Sequence, residues 1–348
     1  MYSIHTAFAE LFAVTWIFVL GSAIGSFLNV VVYRLPRGKT LLGGSFCPRC
    51  KQEIQFRDNI PIFGWLMLKG KCRVCRLPIS SRYPIVEFIC GATLLAIAIP
   101  MLALGGINMP GVEPPRYLGF SWNLMDLPAN FLTLYATQAF VACCLLTAML
   151  IEWDRDWIPA NLTMAVVIAA IITTFINPRL AQEELHDLAN LATSLNWHDL
   201  LLRTIGGLVG GFAGSLAGWA DPVTRRRYVT PWTATIWWAV VGWCLGGFAM
   251  LSLFSISAIL IVGFRPHHRP HPPTPSRVVA GPFGLLFVAY VLQVVFWNLF
   301  AMLPGWPWTV SDFPATWCWL AGSIIVFVIT LIGVRTRSPV RTIARGDV

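Results

Sequence analysis

The sequence predicts an all-α polytopic membrane protein of about nine transmembrane helices with a small cytoplasmic zinc-binding loop module. Three observations carry that reading. Of its 348 residues 56% are hydrophobic and 12% charged, and the mean hydropathy is +0.67, more apolar than a water-soluble surface tolerates. Apolar stretches close to the ~20 residues needed to cross a hydrocarbon core recur along the chain. Lys and Arg gather in a few short intervals, as they do on the cytoplasmic side of a membrane protein.

In chain order, the apolar stretches fall at 8–33, 84–104, 128–151, 157–177, 201–220, 281–303 and 315–334. The run 232–264 is one tilted span or two short ones joined at Gly246-Gly247. Charge favours two. The basic clusters lie at 34–82, at Arg155, at Arg225-Arg226-Arg227, at 265–277 and at 335–345. Two crossings in 232–264 keep all of them on one side, whereas one crossing exports Arg265, Arg269, Arg277 and the tail. The N-terminus is then outside and the C-terminus inside. The net charge of +9 is mostly topology. Nucleic-acid binding is excluded as the leading reading, because the Arg residues are spread over several loops rather than one face. Met1 to Glu10 lacks the basic start of a secretory signal peptide, so the first apolar stretch is expected to be a retained span. Within it, Ser26 and Asn29 need internal partners, since lipid offers none.

The chain divides into a first span (1–33), a polar loop (34–83), a helical membrane core (84–264), a Pro/His/Arg-rich linker (265–280) and C-terminal spans with a basic tail (281–348). The linker reads as unfolded, and metal binding by its three His residues is the weaker alternative. Gly206, Gly207, Gly210, Gly211, Gly214 and Gly218 place small residues at helical spacing along the fifth span, which predicts close helix packing.

Two CxxC pairs, Cys47-Pro-Arg-Cys50 and Cys72-Arg-Val-Cys75, stand 21 residues apart in the polar loop. Each pair turns two thiolates toward one point, and four thiolates close a tetrahedral zinc site with no position left for water. The metal is therefore structural. Disulfide pairing is the alternative, but a cytoplasmic loop is kept reduced. Cys90, Cys143, Cys144, Cys244 and Cys318 lie in apolar spans and read as small buried hydrophobes.

Gly25-Ser-Phe-Leu-Asn-Val-Val-Val-Tyr-Arg-Leu-Pro36, the two CxxC pairs, Asp58-Asn-Ile-Pro-Ile-Phe-Gly-Trp65 and Pro78-Ile-Ser-Ser-Arg-Tyr-Pro-Ile-Val-Glu87 follow one another in an order that resembles the N-terminal half of the type IV prepilin peptidases. The likeness continues weakly through Ile158-Pro159 to Gly281-Pro-Phe-Gly284. The resemblance implies an enzyme of the bacterial inner membrane that cleaves the leader of type IV prepilins and type II secretion pseudopilins, then methylates the new N-terminus with S-adenosylmethionine. Its peptidase chemistry implies two aspartates at the cytoplasmic ends of spans, one activating water and one donating a proton.

At the first aspartate position, counted back from Pro159, this chain has Glu152, with Asp154 and Asp156 close by. The second belongs to a GxGD motif that the chain lacks. The nearest match is Gly218-Trp-Ala-Asp221, and alignment through Val241 to Gly246 puts Ala234 there instead. The catalytic candidates are thus Glu152, Asp154 and Asp221. The plainer reading makes 152–156 a solvated turn and Asp221 the end of the fifth helix at an Asp-Pro turn. Two functions stay open: an active peptidase and N-methyltransferase, or a homologue without proteolysis that binds pilins or assists assembly, with methyl transfer retained or lost. The first span, the cysteine loop and Glu87 are the parts that the resemblance associates with methyl transfer. The basic loop also suits anionic lipid headgroups.

Overall fold

The computed structural model describes residues 4–106, 119–120, 129–154, 157–176, 197–220, 231–245, 253, 256–257, 259–260 and 282–301. The described residues are helical apart from the cysteine loop, whose extended pairing is limited to two isolated bridges. Asp156, Asp221, Arg225 to Arg227, the Gly246-Gly247 join, the linker 265–280, the span 315–334 and the basic tail lie outside the described residues.

Helix α1 runs Ile4–Arg34, without a proline to break it, and is longer at both ends than the apolar stretch alone predicts. It stops where Leu35 precedes Pro36, a position that disfavours helical backbone. The chain makes a single 3-10 turn over Leu35–Arg37 and leaves it through Gly38 at φ 62, a left-handed conformation that glycine adopts without strain. Short helix α2 (Phe63–Met67) lies within the loop. Helix α3 (Arg82–Ala98) continues into a widened π turn at Ile99–Ala103, which takes in Pro100 and its missing N–H. Then come α4 (Ala129–Trp153), α5 (Ala160–Ile176), α6 (Trp197–Ala220), α7 (Pro231–Leu245) and α8 (Pro282–Ala301).

Among the described residues, three helices are long and apolar enough to cross a membrane: Ile4–Arg37, Arg82–Ala103 and Leu132–Trp153. Shorter apolar helices cover Ala160–Ile172, Thr233–Leu245 and Phe283–Phe296. Of the most apolar part of α1, only 22% is buried in the protein, against 61% for each of the other two. Phe8, Leu11, Phe12 and Trp16 project from α1 unprotected by protein, a face suited to lipid rather than water.

Glycine sets the closest helix contacts. A Cβ at Gly25 of α1 would lie 2.8 Å from both Glu87 Cα and Cys90 Cβ of α3, so any side chain there would push the helices apart. The Gly-rich face of α6 meets α7 in the same way: a Cβ at Gly214 would lie 2.6 Å from the Ala234 carbonyl oxygen. The sequence-predicted close packing of that helix is present. Helix α4 packs on α1, α3 and α8, and α7 joins α5 to α6. The core between them is built from Val86, Ile97, Leu145, Leu150, Trp237 and Tyr290.

Candidate metal centre, adjoining cavity and carboxylates

Two short hairpins present the four loop cysteines. In the first, Lys51 N–H donates to the Cys47 carbonyl at 2.9 Å, and Cys47 N–H to the Gln52 carbonyl at 2.9 Å. In the second, Arg76 N–H donates to the Cys72 carbonyl at 3.0 Å, and Cys72 N–H to the Leu77 carbonyl at 2.9 Å. Both turn through a left-handed residue just after the second cysteine, Lys51 at φ 61 and Arg76 at φ 58. The outer bridges correspond as well, Phe46 with Glu53 and Lys71 with Pro78. One hairpin is a structural copy of the other, 25 positions along the chain.

The two hairpins bring the Cys47, Cys50, Cys72 and Cys75 sulfurs within 4.8 Å of one another. The Cys47–Cys75 and Cys50–Cys72 separations are both 3.9 Å. A tetrahedral ion with bonds of ~2.3 Å to sulfur requires edges of ~3.8 Å, whereas a disulfide requires ~2.05 Å. The set could hold a metal ion, and no disulfide joins the described cysteines. Within the set the thiols differ in acidity. Backbone N–H groups of Cys75 and Val74 pull the Cys72 thiol down to about 7, and the Cys50 N–H lowers Cys47. The Leu77 N–H favours the Cys75 thiolate, but burial and three neighbouring sulfurs outweigh it and push that thiol up to about 11. Four thiolates cannot share this volume without a cation.

Two arginines hold the loop in shape. Arg34, buried at the end of α1, donates from one terminal nitrogen to the carbonyls of Thr40, Leu41, Leu42 and Gly43 and from the other to Gly44 at 2.7 Å. Arg73, inside the second CxxC, makes two hydrogen bonds to Asp58, Nε to Oδ2 at 2.7 Å and a terminal nitrogen to Oδ1 at 2.5 Å. That pair holds the Asp58 carboxyl below its usual range.

Beneath the module, against α1 and α3, lies a cavity of about 490 Å³. Glu87 enters its wall from α3 and is 8% exposed. Its Oε2 accepts the Ile62 N–H at 2.6 Å, and the Ser26 hydroxyl bonds to the same carboxylate. Ile62, a β-branched residue at φ 63, stands at the entry to α2. Asn29 Nδ2 donates to the Tyr83 carbonyl at 3.3 Å. Both polar residues that the sequence places in the first span therefore have internal partners.

Glu152 and Asp154 sit at the end of α4. Glu152 is 8% exposed, so the expectation of a solvated turn fails at this residue. Its Oε2 accepts the Phe283 N–H at 3.2 Å, at the start of α8. The Phe283 ring meets Trp237 of α7 edge-on at 5.5 Å, and Trp237 Nε1 donates to Thr163 of α5 at 3.1 Å. Through Phe283, the carboxylate is linked to contacts among α8, α7 and α5. Asp154 instead forms an ion pair with Arg82 at the start of α3. Asp221 lies outside the described residues. At the position reached by the other alignment, Ala234 is completely buried on α7.

Sequence reasoning found the cysteines, Glu152 and Asp154, but not the partners Phe283 and Arg82 or the carbonyl cage of Arg34. Arg203, 1% exposed on α6, also went unnoticed. A lone Arg inside a predicted apolar span is a signal that was there to be found.

A family profile described as the bacterial peptidase A24 N-terminal domain matches residues 19–101. A prepilin leader peptidase/N-methyltransferase of Klebsiella pneumoniae is 43% identical over 106 residues, which cover 27% of this chain and 46% of that protein. One of Myxococcus xanthus, with the same description, is 47% identical over 90 residues, covering 26% and 27%. A type 4 prepilin-like proteins leader peptide-processing enzyme of Escherichia coli is 33% identical over 174 residues, covering 44% and 54%. The chain thus spans about half or less of the length of these relatives. No solved structure gives a significant match. The cysteine module, the cavity and Glu87 all fall inside residues 19–101, the segment that is similar to the N-terminal domain of the bacterial A24 peptidases.

Proposed function

We propose that this chain is a prepilin-processing enzyme of the bacterial inner membrane, acting on the leader peptides of type IV prepilins or type II secretion pseudopilins at the cytoplasmic face and methylating the product N-terminus. The observation that carries the reading is the folding of the whole matched segment, 19–101, around one four-sulfur centre and one cavity. The relatives' printed descriptions supply the reaction class.

The metal is zinc. Four thiolates at near-tetrahedral separations suit it, and a closed set leaves no position for a reacting water. Cys47, Cys50, Cys72 and Cys75 hold it, and its work is to fix the loop across the ends of α1 and α3. S-adenosylmethionine, which supplies an activated methyl group when bound, fits a cavity that offers aromatic side chains and a buried carboxylate. Ser26, Asn29, Tyr33, Trp65 and Glu87 are the residues that would hold it. The module's basic surface faces anionic lipid headgroups.

For cleavage, Glu152 is the stronger candidate for the first carboxylate, because it is buried, while Asp154 is engaged by Arg82, and Asp221 is the candidate for the second. A dyad of this kind works when one carboxylate takes a proton from water and the other donates to the carbonyl. A second reading, a homologue without proteolysis that binds pilins or assists their assembly, is favoured by the structural work Glu152 already does at Phe283 and by alanine at position 234.

The experiment uses full-length protein in lipid nanodiscs, a purified prepilin and S-adenosylmethionine, read by mass spectrometry. The first reading expects loss of the leader and gain of one methyl group, with cleavage stopped by Glu152→Gln or Asp221→Asn. Methylation of pre-cleaved pilin without leader loss selects the second reading. Neither product, from protein with zinc bound, overturns both.

A further inference from the structure

Helix α2 divides into two faces. Gly64, Trp65 and Leu68 turn toward the module: Gly64 is pressed against the Asp58 carbonyl so closely that no Cβ would fit, and Trp65 Nε1 donates to the Ile79 carbonyl at 3.0 Å. Phe63, Leu66 and Met67 occupy the other side, an arc of about 100° at helical spacing. They are 60%, 54% and 71% exposed. Three large apolar side chains grouped on one exposed face mark a surface that something other than water covers. Lys69 and Lys71, both exposed, follow directly.

The first turn of α2 fixes its level in the protein. Ile62, the residue before it, donates its N–H to Glu87 at 2.6 Å. Glu87 lies five residues inside the apolar span that begins at Arg82, ~7.5 Å along the helix axis. The same carboxylate bonds the Ser26 hydroxyl of α1, which stands eight residues before that helix ends at Arg34, ~12 Å along its axis. Both helices therefore place the entry of α2 deeper than the level at which they themselves leave the membrane. Beside Glu87, Ile85 and Phe88 project from α3 unprotected by protein, as lipid-facing side chains of a span do.

We propose that α2 is inserted into the edge of the lipid bilayer, with Phe63, Leu66 and Met67 among the acyl chains and Lys69 and Lys71 at the phosphates. Helices that lie in the interface bury an apolar face roughly 5–10 Å into the boundary between headgroups and acyl chains, with basic residues beside it. The depth of Glu87 falls in that range. The inference needs only that α1 and α3 cross a membrane, and it is independent of the prepilin-processing reading. It also differs from attraction of a basic surface to headgroups, which acts across water and is screened by salt, whereas burial of apolar side chains is not.

The test uses full-length protein in nanodiscs of phosphatidylcholine alone or mixed with phosphatidylglycerol, with zinc content verified. A photoreactive p-benzoylphenylalanine replaces Phe63 or Met67, or Phe88 as the lipid-facing reference, and adducts are read by mass spectrometry after illumination. Phe63 and Met67 should give phospholipid adducts as Phe88 does, in both lipids, and should keep them at about 1 M salt, where the screening length is ~3 Å. No lipid adduct at Phe63 and Met67 beside a positive Phe88 overturns the proposal. Adducts lost in salt overturn it in favour of surface attraction, and adducts to a second copy of the chain in place of lipid overturn it in favour of a protein interface. The combined variant Phe63→Ser, Leu66→Ser and Met67→Ser removes only exposed side chains, and in nanodiscs it should speed protease cleavage of the loop about tenfold. Unchanged cleavage in a zinc-loaded variant also counts against insertion.

Discussion

Glu152 and Phe283 are joined across 131 residues of sequence by a 3.2 Å hydrogen bond from the Phe283 N–H to the Glu152 carboxylate, at the point where α8 begins. The carboxylate thereby meets the positive end of a helix from outside, satisfying an N–H that the helix cannot satisfy itself. Glu152→Ala leaves that N–H buried without its acceptor and should cost about 1–3 kcal/mol in thermal or denaturant unfolding. Glu152→Gln keeps an acceptor oxygen and should lose much less. If Glu152 also serves the peptidase, Glu152→Gln should still abolish leader cleavage, and near-wild-type cleavage by a folded Glu152→Gln protein would confine the residue to capping α8.

The ion pair of Arg82 with Asp154 ties the start of α3 to the end of α4, with both side chains about a quarter to a third exposed. Partly exposed pairs contribute ~0.2–1 kcal/mol. A double-mutant cycle of Arg82→Gln and Asp154→Asn should return a coupling in that range, and raising the salt concentration should diminish it. Asp154→Asn should retain most leader cleavage, in contrast to Glu152→Gln. Complete loss of cleavage in Asp154→Asn would reverse the ranking of the two carboxylates.

Metal analysis of the purified protein should find one zinc per chain, and a strong chelator should free all four loop thiols for alkylation. Apparent zinc-binding energies in small thiolate sites run to ~10–16 kcal/mol and are folding energies for the segment that carries them. Cys47→Ser or Cys72→Ser should therefore expose residues 39–81 to protease while the transmembrane helices stay intact. Alkylation that proceeds equally fast with and without chelator counts against the metal.

Arg73 lowers the folded-state Asp58 carboxyl below its ordinary value, so the pair stabilises the loop at neutral pH and above. A depressed carboxyl contributes stability that is present above its unfolded value and lost as pH falls through the folded one. Protease resistance of the loop should fall in Asp58→Asn at pH 7, modestly, because Arg73 is 41% exposed. The difference from wild type should close in acid below the usual aspartate range. A gap that persists there would assign the effect to packing rather than charge.

What the sequence disclosed depended on how local each feature is. Cys47-Pro-Arg-Cys50 and Cys72-Arg-Val-Cys75 were legible because the spacing itself dictates a turn with two sulfurs on one side. The packing face of α6 was legible because helical periodicity lines up its glycines. Among the described residues, helices coincide with the apolar stretches, with ends displaced by a few residues where hydropathy ignores helix stops such as Pro36. Glu152 could be picked out, but not its burial, since its partner Phe283 comes from α8, 131 residues further along the chain. Glu87 was similarly half-legible. The carboxylate could be named, while the Ile62 N–H that fixes it and the cavity it faces exist only after the loop folds back on α3.

The duplicated hairpins have a consequence for how the protein is made. Each copy supplies two of the four sulfurs that could hold a metal ion, so the first, complete in its own backbone bonds, cannot form the four-sulfur set without the second. On a chain emerging from the ribosome, Cys75 appears just before α3, which lies against α1 at glycine-limited distance. Closure of the four-sulfur set therefore needs the chain through Cys75, and the bond from the Ile62 N–H to Glu87 needs α3 as well, so the cavity wall is completed only by the last part of the segment to be made.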